Sequence, residues 1–336
     1  MRDEMTANTH LEHPEDLILD GVAPTSLLAS MLALRNSDAL ISVKWDGAPA
    51  LVWGLCPTTG LFFVGTKSVF NKKRVKINYN HHDIDRNHTG AVANILHVAF
   101  ECLPIPAVGY VQGDFIGYGG VNKFTPNTVT YTFPFDIFQS IAVALHTSYT
   151  GPFQNPHVRY NVSPNSLSWR ARRSDQCFLI DTTDAYFPRL NFGAKESVSP
   201  FTKAVIESKI LFLHQFAKYP RSAAASTAIK AHVNKSLRSG DDIPSARKLY
   251  ETLPDKYKCE ANVNLFRIYH IILQLKDRLL RMIYTNNSVS CSIADRPTSH
   301  EGYVVQSRNH TYKFVNRLEF SKANFTLTKN WTNEKV

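Results

Sequence analysis

The hydrophobic period of this chain changes twice, and that order constrains its fold more than any single motif. From Leu40 to about Phe192 the apolar residues come in short runs: ISVKW, ALVWG, LFFVG, GYVQGDFIGY, TVTYTFPFDIF and SIAVAL. These runs are rich in Val, Ile, Phe and Tyr and are separated by Gly, Pro, Asn and Asp, which predicts strands. GAVANILHVAFECL is the one helix expected within that region, and 14–34 reads as helical before it, with Glu15 and Asp16 suited to a first turn. From Ser199 the spacing lengthens to threes and fours. Ser199 is the expected N-cap, Pro200 the first helical residue, and Phe201, Val205, Ile206, Leu213 and Phe216 the apolar stripe. A second long helix is predicted over 254–284, with Leu265, Ile268, Ile272, Leu275, Leu279 and Met282 inward and Lys276, Arg278 and Arg281 off the stripe. After Asn286 the strand pattern returns, in HEGYVVQS and HTYKFVNRLEF.

A β-rich, helical, β-rich order predicts an α+β fold: antiparallel sheets with flanking helices, carrying a basic all-helical insertion. The expected segments are 1–195, 196–286 and 287–336.

Charge sharpens this picture. The net charge is +10, and residues 201–283 hold 15 Lys and Arg against 7 Asp and Glu, a surplus of 8. That surplus predicts a polyanionic partner, with the helical block contacting nucleic acid through its phosphates. No run of 18 apolar residues occurs and the first ten residues are polar, so neither a membrane span nor a secretory signal is expected. Five scattered cysteines without a Cys-x-x-Cys pair fit a reducing compartment. The expected location is cytoplasmic (host cytoplasm if the protein is viral), and the expected state is a monomer.

One tight turn carries a lysine. In ISVKWDGAPALVWG the dipeptide Asp46-Gly47 predicts a hairpin, which would leave Lys44 at a strand end. A nucleophilic lysine must be neutral, so burial or a nearby cation has to lower its pKa. Val43 and Trp45 offer partial burial, and Lys67 is a candidate neighbouring cation. Asp114 in VQGDFIGYGG, Glu301 before GYVVQS and Lys313 in HTYKFV complete a set of two lysines and several carboxylates at strand ends. Such a set suits adenylyl transfer: one lysine attacks the α-phosphate, a carboxylate holds a divalent metal and the second lysine balances phosphate charge.

KWDG, QGD, EGYV and YKF stand in the order of motifs I, III, IV and V of the covalent nucleotidyltransferases, and the sequence resembles that superfamily. Within it, EGYV with a lysine a dozen residues on is similar to RNA ligases of tailed phages. The longer run from VKWDGAPALVWG to TPNTVTY resembles ligase-like proteins of large tailed phages. The resemblance covers 40–145 and 299–325 and does not reach the helical block.

It implies a nucleotidyltransferase (adenylation) fold and an ATP-dependent polynucleotide ligase, with RNA ends first and DNA or mixed ends close behind. ATP and Mg²⁺ or Mn²⁺ would be the cofactors. Lys44 would carry AMP, Asp46 and Gly47 would shape the turn, and Glu301 and Asp114 would hold the metal. Asp114 would also meet the ribose, Lys313 the α-phosphate, and Lys67 the AMP or a 5′-phosphate strand. Phe135 in FPFDIF would stack on adenine, and Val43 would help line the nucleotide site.

The pattern departs from the family in four places. Ala48-Pro49-Ala50 stands where an arginine often follows the glycine, and Asp114 replaces a glutamate. Val315 takes the place of a second lysine, for which Arg317 or Lys322 are the expected substitutes. The short remainder after motif V leaves no room for an OB domain, which argues against mRNA capping. Two alternatives stand beside the ligase. One is a non-catalytic nucleic-acid-binding protein on a degenerate scaffold. The other is a metal-dependent nuclease using His81, His82, Asp83, Asp85 and His88 of HHDIDRNH.

Overall fold

A computed structural model describes residues 11–34, 39–171, 176–187, 200–239, 242–307 and 310–326. The architecture is α+β, built from several mainly antiparallel sheets with helices around them. A three-stranded antiparallel sheet places Gly302–Gln306 between Leu40–Lys44 and Thr311–Val315. A six-stranded sheet runs in the order Cys177–Asp181, Ile141–Thr150, Tyr110–Tyr118, Ala50–Leu55 and Phe62–Gly65, with His157–Tyr160 also paired to Ile141–Thr150. Within it, Cys177–Asp181 pairs parallel to Ile141–Thr150. In a four-stranded sheet, Ser290–Ile293 lies between Arg296–Thr298 and Thr130–Ile137, and Val121–Phe124 closes the far edge. The strands after the helical block thus return to partners laid down before it.

The expected hairpin at Asp46-Gly47 is not formed. Leu40–Lys44 and Ala50–Leu55 belong to different sheets, and residues 45–49 cross from one to the other. The crossing is sewn to Tyr110–Tyr118: Ala48 N donates to Phe115 O (3.0 Å) and Phe115 N donates to Pro49 O (3.0 Å). An Asp-Gly signal specifies a tight bend, and the partner of each strand is settled by packing at a distance.

The helices follow the predicted periods with local corrections. The N-terminal segment forms two helices, Pro14–Leu17 and Pro24–Ala33, broken where Gly21 takes φ +85°. Gly90–Cys102 is the expected helix beside the six-stranded sheet. Pro200–Phe216 buries Ile210 and Leu213, while Val205 and Phe216 of the expected stripe are exposed. Ser199 and the Phe201 side chain lie outside what is described. The last long helix is Val263–Leu280, shorter than expected because Asn262 caps it, its side chain accepting from Leu265 N at 3.2 Å. Its predicted inward residues are all buried.

Lys276 is a correction. It is fully buried, with its Nζ 2.8 Å from Glu15 Oε1. Around it, Arg317 Nη1 reaches Asp16 Oδ1 (2.9 Å), Tyr269 OH (2.6 Å) and Glu15 Oε1 (3.3 Å), and Arg317 Nη2 meets Asn234. Arg317, one of the two residues expected to replace a second lysine, is engaged with the N-terminal helix. The Lys322 side chain lies outside what is described. This network joins Pro14–Leu17, the helical block and the helix Arg317–Thr326 inside one continuous apolar core.

Candidate functional site

Pairing register in the three-stranded sheet sets two faces. Val43, Tyr303 and Phe314 are paired across the strands on the buried face. Lys44, Ser42, Val304 and Lys313 lie on the other, because side chains alternate along each strand. Glu301 immediately precedes Gly302, the partner of Lys44. The result is an ion pair between Lys44 Nζ and Glu301 Oε2, with side-chain exposures of 31% and 9%.

The crossing segment explains each remaining letter of the motif. Trp45 turns away from Lys44 into the core, against Tyr131 (ring centroids 4.5 Å), Phe133 (5.9 Å) and His300 (5.2 Å). The neighbours of the two paired residues therefore pack on each other. Asp46 is buried and anchors a loop: Asn127 Nδ2 donates to its Oδ1 (2.8 Å), and Thr128 N and Val129 N donate to its Oδ2 (2.8 and 3.2 Å). Asp46 N donates to Tyr131 OH at 2.6 Å. Gly47 passes so close to the next strand that a Cβ there would sit 2.6 Å from Asp114 Cβ and 2.8 Å from Phe115 O.

That close approach brings Asp114 to the lysine. Asp114 pairs with Ala50 and Ala144, and its side chain is 23% exposed. On its face of the six-stranded sheet, one apolar cluster contains Ile116, Ala142 and Ala144, and another contains Val52, Tyr110 and Tyr149. Polar side chains fall between them. His146 Nε2 is 3.7 Å from Asp114 Oδ1, and Tyr149 OH donates to Gln112 Oε1 at 2.8 Å. His146 is not among the residues that the motifs single out. Its signal is a lone imidazole directly after the apolar run IAVAL.

The charged groups at this site shift one another. Burial pushes the Lys44 pKa down, but Glu301 outweighs it with help from Asp46 and Asp114, and the net position is above the ordinary lysine value. Burial raises Glu301 above the usual carboxylate range against the opposing pull of Lys44. Lys313 makes no ion pair among the described residues; burial lowers its pKa, Glu12 and Asp16 offset part of this, and Lys44 adds to the lowering. Its backbone N donates to Glu12 O at 3.2 Å. His300 is buried and depressed to about 4 by that burial.

Other predicted residues sit further out. Lys67 opens the 3₁₀ turn Lys67–Phe70, just past the edge strand Phe62–Gly65. Phe135 is 52% exposed in the four-stranded sheet, with its ring against Phe133 (6.1 Å) and Phe178 (6.0 Å). No contact among the described residues brings it against Lys44, Glu301 or Asp114. HHDIDRNH supplies the helix His81–Asn87, from which His81 and Asp85 both reach His97 while Asp83 turns to Arg86. His81 meets His97 (2.7 Å) and Glu101 (2.8 Å), Asp85 pairs with His97 (2.8 Å), and Asp83 pairs with Arg86 (2.6 Å).

The fold and site together define an α+β protein with a lysine–carboxylate pair set between two sheets. A family model described as a family of unknown function (DUF6267) matches residues 8–329, and the chain belongs to that family. No curated protein and no solved structure matches the chain. Among the described residues no helix is long and apolar enough to cross a membrane.

Proposed function

We propose that this chain is an ATP-dependent polynucleotide ligase of the nucleotidyltransferase type, working through a lysyl-AMP intermediate on Lys44. RNA ends are the first expected substrate, with DNA or mixed ends next. The observation that carries this reading is the Lys44–Glu301 pair with Lys313 on the same sheet face and Asp114 on the facing strand. Few structural needs explain two lysines gathered with two carboxylates, Glu301 buried and Asp114 partly open, whereas phosphoryl chemistry uses such a set.

The donor set fits a small hard cation. Mg²⁺ takes one or two carboxylates and completes its shell with phosphate oxygens and water. Glu301 and Asp114 would hold it; both oxygens of Asp46 already accept backbone and amide donors. Bound there, Mg²⁺ or Mn²⁺ would neutralise charge on the ATP phosphates.

The residues then act in sequence. Glu301, drawn off Lys44, stops holding the amine protonated, and burial together with the Lys313 charge lowers its pKa. The neutral Nζ attacks the α-phosphorus; the N–P bond forms, the bond to pyrophosphate breaks and the amine proton passes to solvent. Next an oxygen of a 5′-phosphate attacks the same phosphorus, the N–P bond breaks and Lys44 takes up a proton. Finally a 3′-hydroxyl loses its proton, attacks the activated 5′-phosphate and expels AMP. Lys313 faces the charge that develops on the α-phosphate, and Asp114 with His146 beside it faces the nucleoside.

One observation favours a second reading, a non-catalytic polynucleotide-binding protein: Lys44 rests protonated against Glu301. Incubation with α-labelled ATP and Mg²⁺, beside Lys44→Ala, separates the two. The ligase reading requires a covalent label on the wild type that the variant lacks. An unlabelled wild type rules it out. A panel of nicked and free RNA and DNA ends then assigns the substrate.

A further inference from the structure

The densest run of cations in the chain lies outside the helical block. Residues 67–76, KSVFNKKRVK, contain Lys67, Lys72, Lys73, Arg74 and Lys76 and no acid. Lys72, Lys73 and Arg74 are exposed. The acids that follow are engaged elsewhere: Asp83 with Arg86, Asp85 with His97 and Glu101 with His81. Many cations of the helical block have partners instead. Lys276 is buried on Glu15, Lys230 meets Glu12 and Asp20, Lys203 meets Glu207, Arg247 meets Glu251 and Lys258 meets Asp255. Lys276 and Lys230 take their acids from outside the block, so its formal surplus overstates the field it presents.

The run is also built. Thr66 caps its first turn, Asn71 Nδ2 donates to Arg74 O (3.3 Å), and Lys76 Nζ donates to Asn87 O (2.6 Å). Val69 and Phe70 are buried beneath it. Its position follows from register. Gly65 pairs with Val52, whose partner on its other side is Gln112, two residues before Asp114. Two strand spacings, about 10 Å, separate that exit from Gln112, on the strand that carries Asp114.

We propose that residues 67–76, through Lys72, Lys73 and Arg74, form the phosphate-contact surface for the polynucleotide that reaches Lys44; its link to that site rests on the ligase reading above. Within the run only Val75 is an exposed large apolar side chain, so a bilayer finds no apolar wedge to take up. A chain of phosphates needs only spaced cations.

The test is anisotropy of a labelled 5′-phosphorylated single strand, titrated with wild type and with the Lys72→Ala/Lys73→Ala/Arg74→Ala variant across a salt series. Matched melting temperatures establish that the variant is folded. The proposal expects at least a ten-fold weaker Kd in low salt and a salt slope smaller by about 2, since each single-strand phosphate contact contributes about 0.7. An unchanged Kd and slope overturn it. So does an equal loss in a Lys209→Ala/Lys235→Ala/Lys248→Ala variant of the helical block, or wild type that binds anionic phospholipid vesicles and no strand. ATP labelling of the wild type separates the two ideas: selective loss of strand binding without any covalent label sustains the surface and removes the ligase.

Discussion

Lys44 and Glu301 form an ion pair across 257 residues of sequence, one at the end of a strand and the other just before the neighbouring strand of the same sheet. Glu301 is what holds the lysine protonated at rest. In Glu301→Gln the Lys44 pKa falls, so its neutral fraction at about pH 8–9 rises. Labelling with an amine-selective reagent, read at Lys44 over a pH series, is expected to shift to lower pH in the variant. ATP-dependent labelling should fall at least about 100-fold, the usual cost of losing one transition-state stabiliser. An unmoved labelling profile would mean that Glu301 does not control the lysine.

Asp46 and Gly47 hold the geometry of that pair. Asp46→Asn presents an amide donor to groups that already donate, Asn127 Nδ2 and the N–H groups of Thr128 and Val129. The expected loss is roughly 1–3 kcal/mol, read by denaturant unfolding. Gly47→Ala forces the crossing away from Asp114 and Phe115, because its Cβ would stand 2.6 Å from one and 2.8 Å from the other. Stability and covalent labelling should fall together in that variant.

The buried network predicts strong non-additivity. Glu15→Gln leaves Lys276 and Arg317 charged in the core without their shared carboxylate, at a cost of about 3–5 kcal/mol. Glu15→Leu combined with Lys276→Met removes both charges, and is expected to be less harmful than Glu15→Gln alone. A double-mutant cycle by chemical denaturation checks it. Additive losses would contradict the coupling.

His300 should report acid sensitivity. Its folded pKa of about 4 lies below the ordinary 6.5. The unfolded chain therefore binds the extra proton first as pH falls, and stability drops through the window from 6.5 to about 4. The full contribution is about 3 kcal/mol. His300→Phe keeps a ring against Trp45 and Tyr131 and removes the titration. Its melting temperature should fall less between pH 7 and 4.5 than that of the wild type, as measured by calorimetry.

What the sequence made legible was local or ordered. The change of period located the helical block, and strand neighbours placed Lys313 beside the strand that follows Glu301. Long-range packing was not legible. Nothing near Lys276 marks it as buried, because Glu15, its partner, is 261 residues away. Asp-Gly marked a bend without saying that its two strands enter different sheets. The clamp on Asp46 needed Asn127 and Thr128, which read only as turn residues. Phe135 matched a strand pattern, yet the side chain found beside Asp114 is His146.

The central claim is that Lys44 Nζ forms a bond to the α-phosphorus of ATP. The most direct measurement is peptide mapping by mass spectrometry after incubation with ATP and Mg²⁺, with part of the sample treated with mild acid first. The account predicts an adenylyl group on Lys44 itself, lost in acid as a phosphoramidate is and kept in alkali. An unmodified Lys44, or an adenylyl group on any other residue, would contradict it.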